Sequence, residues 1–163
     1  MKRFPPPYLQ NEVIAGIRLA AMASAPFWAR CHARDALGKW RVPAEMIETA
    51  ELLVSELVTN AAKFAGPLPD RLHTPDLASI GIIDVMLRYL PARLVIEVSD
   101  SDANPPAAAD PGPDAEGGRG LMLVQALSAE WSYYLRPSGG KTVYCVVRLS
   151  QGGRSLAPAT GPA

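Results

Sequence analysis

Cysteine is scarce in this chain. Cys31 and Cys145 are too few and too far apart for a disulfide framework or a four-ligand metal site, so they read as reduced structural thiols. Neither sign of charge dominates: Lys and Arg total 16, and Asp and Glu total 16. Without a global basic field, direct nucleic-acid binding is a poor expectation. A long apolar run is also missing. The longest, residues 13–29, contains Arg18, Ser24 and Pro26 and falls short of the ~20 apolar residues that span a bilayer, so no transmembrane helix is expected. Lys2 and Arg3 precede an alanine-rich stretch, but Pro5, Pro6, Pro7, Glu12 and Arg18 break up any signal-peptide core. A cytoplasmic protein without membrane attachment is the expectation. No segment recurs at a fixed period, which disfavours a solenoid.

What is present suits one core. The chain has 163 residues, of which 48% are hydrophobic, enough for a single domain but not for two. Residues 8–150 read as that domain, and 1–7 and 151–163, rich in Pro, Gly and Ala, read as flexible ends.

Ser24 is placed to cap a helix with Pro26 in its first turn and Gly38 at its end, with Phe27, Trp28, Cys31 and Leu37 as its apolar face. A second helix is expected from Pro43 to Gly66-Pro67, where Met46, Ala50, Leu53, Val54, Leu57, Val58 and Ala61 form one stripe. Residues 67–79 carry three prolines and read as a loop. Ile83, Val85, Leu87 and Tyr89 then alternate with polar residues or Met86 as in a half-buried strand. Leu94, Ile96 and Val98 share one face of the next strand, which ends at Asp100. Residues 101–117 read as a proline-rich loop, Leu121–Leu127 as a short helix, and 131–135 and 142–149 as a hairpin across Pro137-Ser-Gly-Gly140. Helices with mostly antiparallel strands predict an α+β two-layer sandwich. Tryptophans 28, 40 and 131 are expected to pack in the core or between helices.

Two nucleotide motifs fail. Gly140-Lys-Thr142 looks like the end of a P-loop, but the earlier glycine is replaced by Leu135 and a strand follows where a helix is needed. Gly118-Arg-Gly120 lacks the third glycine of the dinucleotide fingerprint, and Lys141 stands where an acid is required. Neither His32 nor His73 has the setting of a sensor-kinase phosphoacceptor.

A longer ordered set survives. Glu51-Leu-Leu-Val-Ser-Glu56-Leu-Val-Thr-Asn60-Ala, then Val98-Ser-Asp100, then Gly118-Arg-Gly-Leu-Met-Leu-Val124, then Gly140-Lys-Thr142 follow one another across residues 25–149. In this the chain resembles the GHKL (Bergerat-fold) ATP-binding family, and within it the stand-alone anti-sigma serine kinases of the SpoIIAB and RsbW type with their actinobacterial relatives. The resemblance implies a mostly antiparallel mixed sheet with helices on one face, ATP and Mg²⁺ as cofactors, and a partner that is an anti-anti-sigma (STAS-type) protein, a sigma factor, or both. A homodimer is common among such relatives.

Glu56 and Asn60, four apart on a helix, share one side at the border of the apolar stripe. By resemblance, Asn60 holds Mg²⁺ and Glu56 is the general base. Asp100 would accept from the adenine amino group, with Thr142 as a second contact to the base. Gly118, Arg119, Gly120 and Leu121 would receive phosphate at a helix N-terminus, with Lys63 nearby. Residues 101–117 resemble a short ATP lid. The chain has Asp100-Ser-Asp102 where the family pattern is Asp-x-Gly, and Phe64 where many relatives have His. The implied activity is transfer of the γ-phosphoryl group to a partner serine; the alternative is an ATP-sensing binding module without transfer.

Overall fold

The computed structural model describes residues 12–64, 80–106 and 119–148. Their elements, in chain order, are β1 (Val13–Ala20), α1 (Ala25–Lys39), α2 (Ala44–Phe64), β2 (Ile82–Leu90), β3 (Arg93–Asp100), α3 (Arg119–Leu127), β4 (Glu130–Leu135) and β5 (Lys141–Arg148). The sheet order is β1-β2-β3-β5-β4, and every pairing among these strands is antiparallel. The result is the expected α+β sandwich, with the helices on one face.

Register explains why that face is apolar. Ile17 pairs with Val85, Val85 with Val98, Val98 with Val143 and Val143 with Tyr133, so one row of apolar side chains crosses the whole sheet. A second row runs Ala15, Leu87, Ile96, Cys145, Trp131. Both rows belong to one core, completed by the α2 stripe of Met46, Ala50, Leu53, Val54, Leu57, Val58 and Ala61, which lies where the helical period put it. Full burial of each larger aliphatic side chain is worth about 1.5–3 kcal/mol. Burial also pushes the Cys145 thiol up to about 12, so it is inert at neutral pH.

The expectations for α1 need correction. The buried face of α1 is Ala25, Ala29, Ala33, Ala36 and Leu37, whereas Phe27 and Trp28 are about half exposed, stacked edge to face on each other at 5.2 Å. The alanines keep the helical period and let α1 approach α2 closely; the aromatics are larger but off that stripe. Ser24 is the N-cap residue but makes no side-chain cap bond. Its carbonyl accepts from the Phe27 and Trp28 amides instead. The other two tryptophans pack as expected: Trp40 stacks on Tyr89 with rings 5.9 Å apart, and Trp131 lies against the core. β1 is an edge strand for which the sequence raised no expectation. Its inward residues Ala15, Ile17 and Leu19 alternate with Ile14, Gly16 and Arg18, a pattern too weak in hydrophobic contrast to stand out.

Gly38 does not end α1. The left-handed position falls on Arg41, at φ 56°, and the Val42 amide reaches the Leu37 carbonyl while the Arg41 amide reaches that of Gly38. This is a Schellman ending with a side chain where glycine is preferred. The β4–β5 turn obeys the rule, with Gly139 at φ 96° and Gly140 at φ 76°.

The readings of residues 1–11, 65–79, 107–118 and 149–163, among them the 67–79 loop, His73, most of the lid-like stretch and both ends, lie outside the described residues. No helix of the described part is long and apolar enough to cross a membrane.

The two turn glycines are expected to differ under substitution. A Cβ on Gly139 would meet nothing within 4 Å, whereas one on Gly140 would stand 1.9 Å from the Asp100 carbonyl oxygen. In urea unfolding, Gly139→Ala should cost about 1 kcal/mol from the left-handed backbone alone, and Gly140→Ala more than twice that. Equal losses would mean that the turn is free to move off Asp100. Arg41→Gly should add about 0.5–1 kcal/mol, and a loss of stability there would count against the Schellman ending.

Candidate functional site

Helix α2 enters the core through Leu53, Val54, Leu57 and Val58, which are almost wholly buried, and this fixes the rotation of the whole helix. Glu56 and Asn60 consequently come to the edge of the core, half-buried, about 6 Å apart along the axis. Asn60 lines a narrow cavity. Leu57 and Ala61 of α2, Val98 of β3, Val143 of β5 and Pro106 supply its apolar walls, and Asp100 and Lys141 its remaining polar groups. Apolar walls with a few convergent polar groups are the ordinary make-up of a small-molecule site.

The charged end of that cavity is densely bonded. Asp100 and Lys141 are 3% and 2% exposed, and they face each other because β3 and β5 pair residue for residue up to that point. The Lys141 ammonium donates to Asp100 Oδ1 at 3.0 Å, to the Asp102 carbonyl at 3.1 Å and to Asp102 Oδ2 at 3.3 Å. The Asp102 amide donates to the same Oδ1 of Asp100 at 2.9 Å. Asp102 in turn accepts at Oδ1 from the amide and side chain of Asn104. The Asn104 amide, more than Lys141, holds the Asp102 carboxyl below the usual carboxylate range, against an opposing effect of burial.

Glu56 belongs to the adjoining part of the site. A Cβ placed on Gly120 would stand 2.5 Å from Glu56 Oε2, so the carboxylate occupies the space that the absent side chain leaves at the start of α3. Arg119, the first residue of that helix, is exposed, and Leu121 is buried behind it. Lys63 is exposed in the last turn of α2. Gly118 lies outside the described residues, as does the side chain of Phe64.

Thr142 is not brought to the cavity. Strand alternation gives the cavity face to Lys141 and Val143, and sends Thr142 to the opposite face, where its hydroxyl lies 2.7 Å from that of Ser99. Sequence reasoning assigned Lys141 no role, although an Asp at a strand end and a Lys beginning a later strand were the available signal.

Among the described residues no group of three or more His, Cys, Asp and Glu side chains could hold a metal ion. Mg²⁺ keeps waters and takes one or two protein ligands beside substrate phosphates, and the side-chain oxygen of Asn60 would be a suitable hard donor for it. The positive end of α3 favours negative charge, and the Glu56 carboxylate takes up the space that Gly120 leaves beside it.

No curated protein matches the chain significantly. Residues 20–147 match the histidine kinase-like ATPase domain, which takes in every described element from α1 to β4 and nearly all of β5. With its sheet, its helix layer and this match across most of its length, the chain belongs to the histidine kinase-like ATPase (GHKL) family of ATP-binding domains.

Proposed function

We propose that the chain is an anti-sigma-type regulator that transfers the γ-phosphoryl group of ATP to a serine of an antagonist protein of the STAS type and can sequester a sigma factor. The observation that carries this reading is the arrangement on α2, where Asn60 borders the cavity holding Asp100 while Glu56, one turn back, meets Gly120 at the start of α3. A base site, a metal ligand, a proton acceptor and an anion-binding helix end thus adjoin one another.

In this reading the exocyclic amine of adenine donates to Asp100, and Asn60 holds the Mg²⁺ that offsets phosphate charge. Arg119 and Lys63, both exposed at the site's edge, add positive charge near the phosphates. As the serine oxygen bonds to the γ-phosphorus, its proton passes to Glu56. The bond from that phosphorus to the β–γ bridging oxygen breaks, and ADP leaves with the electron pair.

Labelled [γ-³²P]ATP incubated with candidate antagonist proteins tests the reading, with a pull-down with and without MgATP to name the partner. Phosphoserine on the partner is the expected result; nucleotide binding without any transfer would favour the ATP-sensing module instead. Glu56→Gln is expected to keep MgATP affinity and to slow transfer by about 10²–10⁴-fold, and transfer at the wild-type rate would remove Glu56 as the base. Asn60→Ala should abolish the Mg²⁺-dependent part of binding with the fold intact. Gly120→Ala is a sharper probe. Alanine is the better helix former, so thermal stability should hold or rise, yet its methyl displaces the Glu56 carboxylate and transfer should fall about tenfold or more. Unchanged transfer in that variant would mean that the position of Glu56 does not matter.

A further inference from the structure

The buried cation beside Asp100 is not explained by binding ATP or by moving its phosphate. Lys141 sits at the base end of the cavity, 2% exposed, and its ammonium donates to Asp100 Oδ1, to Asp102 Oδ2 and to the Asp102 carbonyl. An ammonium has three protons, and these contacts engage them all. Lys141 therefore has no proton left with which to read a base directly. Its effect falls on Asp100. Oδ1 of that carboxylate takes both the Lys141 ammonium and the Asp102 amide, and Oδ2 takes no hydrogen bond among the described residues. Such a carboxylate is held against rotation, with one oxygen engaged and one left to accept.

We infer that Lys141 is a positioning residue for base selection: by clamping Asp100 Oδ1 and the Asp102 turn together, it presents Oδ2 as a fixed acceptor that admits an adenine nucleotide and rejects a guanine one. This rests on the assignment of the Asp100 cavity to the base of ATP. Adenine carries an amino donor where guanine carries a carbonyl acceptor. A fixed carboxylate oxygen bonds the first and repels the second, whereas a carboxylate free to turn would lose the bond and soften the repulsion. The clamp also does for the Asp100–Asp102 segment what its composition does not, since Asp102 brings a second carboxylate to the same turn and only a shared cation makes the pair compatible.

The test is titration calorimetry of the full chain with MgATP, MgADP and MgGTP, for the wild type, Lys141→Met and Lys141→Gln, with a thermal melt of each. The wild type should prefer ATP to GTP. Lys141→Met should lose about tenfold in ATP affinity, in line with one charge-assisted hydrogen bond, and the ATP-to-GTP ratio should narrow by a similar factor. The loss should be the same for ADP as for ATP, because it arises at the base. Lys141→Gln, which keeps a donor without the charge, should fall between. An unchanged ratio in either folded variant overturns the inference, as does a loss that grows with the number of phosphates. Failure of both variants to fold would also overturn it, in favour of an ion pair with a structural role alone. A wild-type chain that binds no nucleotide would instead defeat the reading of the cavity on which the inference is built.

Discussion

The close approach of the β4–β5 turn to the end of β3 is the constraint on which the arrangement depends. Gly140 lies against the Asp100 carbonyl and the Ser101 Cα at distances that leave no space for a side chain. Only because that backbone contact is possible does β5 begin at Lys141, directly across from Asp100, and continue in register to Arg148 opposite Arg93. The same register sets the apolar rows that α2 covers, and with them the position of the cavity between α2 and the sheet. A turn glycine thus governs both the central strand pairing and the meeting of the two charges at the site.

Charge is used differently on the two sides of the sheet. On the face away from the helices, Arg18 pairs with Asp84 at 2.7 Å, with side chains 72% and 30% exposed. Such a pair is screened by water and salt and contributes little. On the same face Arg88 bridges Glu97 and Glu12, and these side chains are 20%, 5% and 8% exposed, so part of that face is closed over. The Lys141–Asp100 pair, at 3% and 4%, is deeper than any of them. Burying both charges forfeits hydration that their attraction does not fully restore, so a pair of this kind is weak as a pure stabiliser. Its place in the wall of a cavity, not in the middle of the core, is better explained by what it holds in position.

Much of the fold was legible because it follows local periods. The α2 stripe and the alternation in β2 and β3 are written in large aliphatic residues, and their period and identity agree. In α1 they disagree: the alanines carry the period and the aromatics carry the hydrophobicity, and weighting size over spacing chose the wrong face. β1 was hidden because Ala15 and Gly16 blunt its alternation and its partner β2 lies more than sixty residues on. That Asn60 would lie near Asp100, and Glu56 near the start of α3, was legible through an ordered set of motifs, each on one element. Lys141 was not, because its role arises from the register of two strands 41 residues apart, which no local pattern encodes. The misplacement of Thr142 has the same origin: a one-residue difference in register exchanges the faces of a strand, and so exchanged Thr142 for Lys141.

Precision at the site comes from its attachment to the core. Glu56 and Asn60 alternate along α2 with Leu53, Leu57, Val58 and Ala61, so the packing that stabilises the helix also fixes the azimuth of both side chains. Asp100 and Lys141 are likewise terminal residues of two interior strands, held by an unbroken ladder that runs back to Arg93 and Arg148. Gly120 introduces α3 against Glu56 without a side chain in between, so the third element meets the first through the carboxylate itself. Each of these groups is therefore carried by a helix or a strand already committed to the core. The same commitment predicts which changes the molecule tolerates: substitutions on the exposed side of α1, around Phe27 and Trp28, leave this geometry alone, while a change in the volume of Leu57 or Val98 would move a polar side chain of the cavity along with a core one.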